Sequence, residues 1–129
     1  MEAKKRVLIV DDETFIRVLL VQAMEDIKRQ GVEVLTAANG EEALEIVQRQ
    51  PPDLIFLDVM MPTLNGYQVC QRVKEMYGDV YVIMLTAKGQ LIDKERGEAM
   101  GADEYITKPF DPDYLIRRAA QVLDLDMVF

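Results

Sequence analysis

The chain has 129 residues, half of them hydrophobic and 29% charged, which suits one globular domain with a core of its own. Its formal net charge of −8 argues against direct nucleic-acid binding, because that affinity comes from lysine and arginine neutralising phosphates. No apolar run approaches the roughly 18 residues of a membrane helix, and the apolar run after the basic N-terminus is only Val7 to Val10, too short for a signal-peptide core.

Lys5 to Val10 reads as a first strand, apolar after Arg6. Asp11-Asp12-Glu13-Thr14 breaks that run and opens a helix, in which Phe15, Ile16, Leu19, Leu20, Ala23 and Ile27 recur at helical spacing before Gly31 at the C-cap. Val32 to Ala37 is a second strand. Asn39 and Glu42 predict a capping box for the next helix, with Ala43, Leu44 and Val47 as its buried stripe and Pro51-Pro52 as its stop. Asp53 to Leu57 is a third strand, whose apolar run Leu54-Ile55-Phe56-Leu57 enters Asp58 and leaves through Pro62 to Gly66. A third helix follows through Tyr67, Val69, Cys70, Val73 and Met76, closed by Gly78. Val80 to Leu85 is a fourth strand, followed by Thr86-Ala87-Lys88-Gly89. Leu91 to Met100 is a fourth helix ending at Gly101. Asp103 to Ile106 is a short fifth strand, then come Thr107-Lys108-Pro109-Phe110. Asp111 caps the fifth helix, with Pro112 in its first turn and Leu115, Ile116, Ala119, Val122 and Leu123 facing inward. Residues 1–124 are expected to form the domain and 125–129 a short tail.

Apolar strands alternating with amphipathic helices predict an α/β fold, with five parallel strands, right-handed crossovers and helices on both faces. Such sheets place their sites at the carboxyl ends of the strands. There the first strand delivers Asp11 and Asp12, the third Asp58, the fourth Thr86 and the fifth Lys108. Each alone has a dull explanation as a helix cap or a solvated lysine; five converging on one edge do not. Two carboxylates about 5 Å apart repel by about 3 kcal/mol at an effective dielectric near 20, so a proton or a cation must intervene. The chain has no histidine, which excludes Ser-His and Cys-His catalysis, His-ligated metals and phosphohistidine, and leaves a hard cation held by oxygen. Mg²⁺ beside a carboxylate, an amine and a hydroxyl is equipment for phosphoryl transfer onto aspartate. The single Cys70 excludes an internal disulfide and fits a reducing compartment, so a cytoplasmic protein is expected.

Over essentially its whole length the chain resembles the receiver domain of two-component response regulators, the family of the chemotaxis response regulator. The resemblance lies in Val-Leu-Ile-Val-Asp-Asp-Glu, Leu-Ile-Phe-Leu-Asp-Val-Met-Met-Pro, Leu-Thr-Ala and Gly-Ala-Asp-Glu-Tyr-Ile-Thr-Lys-Pro-Phe, in that order. It implies a flavodoxin-like three-layer αβα fold with five helices and strand order 2-1-3-4-5. It implies Asp58 as phosphoacceptor, with a sensor histidine kinase as donor and a downstream effector or fused output domain as reader. Asp12, Asp58 and the Met60 carbonyl would ligate Mg²⁺, with Asp11 holding it mainly through water. Lys108 would contact the acceptor and the phosphoryl group, and its bond to Pro109 would be cis. Thr86 and Tyr105 would form the switch, and Met60 and Lys88 would set the phosphoaspartate lifetime, here a long one. Dimerisation through Arg118, Asp103 and Glu104 is a further expectation. On this reading the domain is not an enzyme beyond its own phosphorylation and dephosphorylation, and 129 residues could equally be a receiver cut from a regulator with a DNA-binding or enzymatic output domain. Two alternatives fit worse. A haloacid-dehalogenase-type phosphatase needs Asp-x-Asp-x-Thr, where Asp11 is followed by Glu13 and Phe15; a flavodoxin-like carrier needs a phosphate-cradling first loop, where the acidic run repels phosphate.

Overall fold

A computed structural model describes residues 4–87 and 101–127. The expected fourth helix, Lys88 and the tail end fall outside them. Five strands, β1 (Arg6–Val10), β2 (Glu33–Ala37), β3 (Leu54–Asp58), β4 (Tyr81–Ala87) and β5 (Glu104–Lys108), form one parallel sheet in the order β2-β1-β3-β4-β5. The helices among the described residues are α1 (Thr14–Ala23), α2 (Glu25–Arg29), α3 (Gly40–Arg49), α4 (Gly66–Met76) and α5 (Pro112–Val122). The fold is the three-layer αβα arrangement of the flavodoxin-like class.

Alternation along each strand sorts the core into two halves. Leu8, Val10, Ile55, Leu57, Val82 and Met84 pack under α3 and α4 with Ala43, Val47, Val69 and Val73. Val7, Ile9, Leu54, Phe56, Ile83 and Leu85 pack on the other face with Leu20 of α1, Ile27 of α2 and Leu115 of α5. Both faces of the central strands are covered, which is why they read as unbroken apolar runs. Beyond α5, Leu125 and Met127 lie partly buried against the second half.

Several local expectations are corrected. The first helix is not continuous: Met24 separates α1 from α2, where its amide donates to both Leu20 O (3.0 Å) and Val21 O (3.2 Å) and tightens the turn. Glu42 does not complete a capping box at Asn39. It accepts from the Ala38 amide (3.2 Å), while Asn39 caps the Glu42 amide alone (2.8 Å). The reciprocal box is at α4, where Asn65 and Gln68 each accept from the other's amide at 3.0 Å. Finally, β4 and β5 extend two residues past their last apolar residues, through Thr86-Ala87 and Thr107-Lys108, because the ladder pairs backbone rather than side chains.

Candidate functional site

β1 ends in a tightly held carboxylate. The Asp11 amide continues the ladder by donating to Ala37 O (3.2 Å), and Asp11 Oδ1 accepts from the Glu13 amide (2.9 Å), a local turn that aspartate favours. Arg17 reaches back from the first turn of α1 to donate to the Asp11 carbonyl (2.7 Å). β3 carries Asp58 to the same edge. Asp11 is 0% exposed and Asp58 5% exposed, a depth at which carboxylates need compensation. Lys108, the last residue of β5, supplies part of it: Nζ donates to Asp11 Oδ2 (2.9 Å) and Asp58 Oδ1 (3.2 Å). The Lys108–Pro109 peptide is cis.

One cation does not balance two buried acids and a third at the rim. Burial, first, and then the Asp11 charge push the Asp58 carboxyl up to about 7 against the pull of Lys108, with Asp12 adding to the rise. Burial alone would lower the Lys108 ammonium, but its hydrogen bond to Asp11 and the two facing carboxylates outweigh that, and its net displacement is upward. The site is short of positive charge. Exposed Asp12 and Glu13 stand at the rim, and Asp11, Asp12 and Glu13 offer oxygens that all lie within 4.8 Å of one another. An all-oxygen donor set suits a hard divalent cation, and Mg²⁺ in particular, which keeps part of its water shell.

Thr86 is 1% exposed, and its Oγ1 has no hydrogen-bond partner among the described residues. Burying a hydroxyl that way costs about 1–3 kcal/mol, so a group that fills the site and accepts a hydrogen bond would recover it. Met60, two residues after Asp58, is 63% exposed, and Tyr105 packs partly buried against the α3–α4 half of the core. Next to Lys108 an apolar groove of about 360 Å³ runs between Phe15, Ile16 and Leu19 of α1 and Pro109-Phe110.

The structure thus brings Asp11, Asp58 and Lys108 into contact, with Asp12 and Glu13 at the rim. The sequence reading left Glu13 out of the cation set; the signal was the unbroken Asp11-Asp12-Glu13 run, masked by its position at the start of a helix. The residues of the expected dimer face are satisfied within one chain. Arg118 donates to Glu104 from Nε (2.9 and 3.1 Å) and Nη2 (2.6 Å), and Tyr81 also donates to Glu104 (3.1 Å). Asp103 accepts from Lys74 (2.7 Å) and from the Val82 amide (2.8 Å). Among the described residues no helix is long and apolar enough to cross a membrane.

Comparison with known proteins identifies the family. The response regulator receiver domain model matches residues 7–120. The chain is 48% identical over 120 residues to the probable transcriptional regulator ycf27 of Cyanophora paradoxa, covering 93% of this chain and 48% of that protein. It is 44% identical over 119 residues to the alkaline phosphatase synthesis transcriptional regulatory protein PhoP of Bacillus subtilis, covering 92% and 48%. The chain therefore spans about half the length of these relatives. In three dimensions it is similar to the chemotaxis protein CheY4 of Vibrio cholerae, with a TM-score of 0.82 and 35% identity over 93% of this chain and 99% of that one. The phosphatase and flavodoxin readings are left without support. From the first strand to the last helix, the chain belongs to the response regulator receiver domain family, whose members are signalling domains rather than enzymes in the ordinary sense.

Proposed function

We propose that Asp58 accepts a phosphoryl group from an external phosphohistidine, that of a sensor histidine kinase, and that the modified domain then acts on a downstream effector or a fused output domain in the cytoplasm. The observation that carries this reading is the pairing of a cation-deficient acid pair, bridged by Lys108, with the unpartnered buried hydroxyl of Thr86.

In the proposed step an Asp58 carboxylate oxygen attacks phosphorus in line, the new O–P bond forms as the donor's P–N bond breaks, and the imidazole leaves with a proton. Asp11, Asp12, Asp58 and the Met60 carbonyl, with Glu13 at the rim, are the groups that would hold Mg²⁺, which when bound supplies positive charge for the incoming phosphoryl oxygens. Lys108 moves from bridging two carboxylates to meeting phosphoryl oxygens. Thr86 donates its hydroxyl to one of them, and Tyr105 takes up space that Thr86 gives up. The output is a population shift, as large as the preference of the Thr86 and Tyr105 contacts for one state over the other. Residues 1–124 act as the domain, with 125–129 as its tail. A homodimer through the β5–α5 face would require Arg118 to exchange Glu104 for an acid of a second copy. Sedimentation unchanged by a phosphate mimic counts against that dimer.

The deciding experiment treats the protein with Mg²⁺ and acetyl phosphate or beryllofluoride and maps the adduct. The expected result is one Mg²⁺-dependent adduct on Asp58. An adduct that survives Asp58→Ala, or none at all, overturns the reading.

A further inference from the structure

Burial goes on alternating past the end of β3. Leu57, Val59 and Met61 all turn into the half of the core under α3 and α4, and the Val59 amide still donates to Leu85 O (3.2 Å). Met60 is thereby left on the side of Asp58, and it is 63% exposed where Asp58 is 5% exposed. Two residues of chain span at most about 7 Å, and a methionine side chain is long and flexible. The Met60 thioether can therefore reach a phosphoryl group carried on Asp58. The other sulfurs among the described residues are shielded. Met24, Met61 and Met84 are buried, and Met76 and Met127 are partly buried. Cys70 is buried too, and burial pushes its thiol up to about 11, away from the reactive thiolate. Thioether oxidation needs access rather than deprotonation, and it turns an apolar side chain into a polar one.

We propose that Met60 is a site of reversible oxidation by hydrogen peroxide, and that its sulfoxide shortens the life of the phosphoryl group on Asp58. The proposal rests on the reading of Asp58 as the phosphoacceptor. In the oxidation, a lone pair of the Met60 sulfur attacks one peroxide oxygen, the O–O bond breaks, and S=O forms as water leaves. Sulfur gives up the electron pair that the peroxide takes. The thioether is a weak hydrogen-bond acceptor and leaves water beside Asp58 unoriented. The sulfoxide oxygen is a strong acceptor at the same place, and it orients a water for attack on phosphorus. Oxidant and phosphoryl signal then meet at one residue, and peroxide lowers the output with no change in the donor.

The test uses the full chain. Hydrogen peroxide is titrated, oxygen uptake at each methionine is read by peptide mass spectrometry, and phosphate release is followed after loading with Mg²⁺ and acetyl phosphate and removing the donor. Met60 should take up oxygen at least about tenfold faster than Met24, Met61 and Met84, and the phosphoryl half-life should fall at least about threefold. Methionine sulfoxide reductases should restore it. Met60→Leu should have one half-life before and after peroxide, which removes oxidation elsewhere as the cause. Met60→Gln, whose amide supplies the sulfoxide's polarity, should release phosphate faster than Met60→Leu without oxidant. Met60 oxidised no faster than the buried methionines, an unchanged half-life in the sulfoxide, or equal shortening in Met60→Leu overturns the inference and leaves the site reading intact. Untreated protein that takes no phosphoryl group on Asp58 overturns both.

Discussion

Replacing the proposed nucleophile should make the metal-free domain more stable. Asp58 is buried beside Asp11, and its carboxyl is pushed from 3.8 to about 7. At about 1.4 kcal/mol per pH unit, that gap limits the penalty of ionising Asp58 in the folded state to about 4 kcal/mol. Asparagine removes the charge and keeps the shape. Some of the gain is returned because Lys108 loses one of its two carboxylates, leaving an expected gain of about 1–3 kcal/mol. The pH dependence has a fixed sign. Between 3.8 and about 7 the folded state binds the Asp58 proton and the unfolded state does not, so this group's contribution to stability falls as pH rises through that window. The advantage of Asp58→Asn should therefore be near zero at pH 4 and complete above pH 7. The assay is urea unfolding of both proteins in EDTA, followed by circular dichroism at pH 4.5, 6 and 8; with a slope of about 1–2 kcal/mol per molar, the midpoints should separate by about 1–2 M at pH 8. Adding Mg²⁺ should then close the gap by stabilising only the wild type. Equal midpoints at pH 8, or a gain as large at pH 4.5 as at pH 8, would refute the electrostatic account.

Further outcomes follow from named contacts. Lys108→Met leaves two buried carboxylates without their cation and should cost about 3 kcal/mol in metal-free protein, part of it recovered with Mg²⁺; an unchanged unfolding midpoint in EDTA contradicts this. Lys74→Met removes donations to Val80 O (2.5 Å) and Asp103 (2.7 Å) that tie α4 to the starts of β4 and β5, with an expected loss of about 2–3 kcal/mol by urea unfolding. Gly66→Ala should destabilise by about 3 kcal/mol or more, because its Cβ would meet backbone, whereas Gly78→Ala, whose nearest contact would be at 3.7 Å, should change stability by less than about 1 kcal/mol. The double variant Met60→Asn, Lys88→Glu should lose its phosphoryl group faster than wild type, by positioning an attacking water; a phosphate-release assay showing no acceleration removes the lifetime role of that pair.

Much of the fold was legible because parallel strands covered on both faces announce themselves as apolar runs. Leu54 to Leu57 is the plainest case, and all four are fully buried. Strand ends were less legible: side-chain pattern stops at Leu85 and Ile106, while the backbone ladder goes on to Ala87 and Lys108. The break at Met24 left no trace, since Leu20, Met24 and Ile27 are all buried at helical spacing across it. Charged hubs were the hardest to see. Lys74 looks like a solvated helix residue in sequence, and Arg118 reads there as a contact to a second copy; the fold instead brings Asp103 to the first and Glu104 to the second within one chain.

Odd-even alternation in the sheet has a consequence beyond packing. Asp11 continues the row of Val7 and Ile9, Asp58 that of Leu54 and Phe56, and Lys108 that of Ile106, all on the side of α1 and α5. Thr86 instead continues the row of Val82 and Met84, which Tyr105 shares, on the side of α3 and α4. Charge is thus gathered on one side of a wall one strand thick, and the hydroxyl and the aromatic stand on the other. A single residue inserted into β4 before Thr86 would move that hydroxyl across the wall, leaving every charged residue in place and severing the chemistry from its readout.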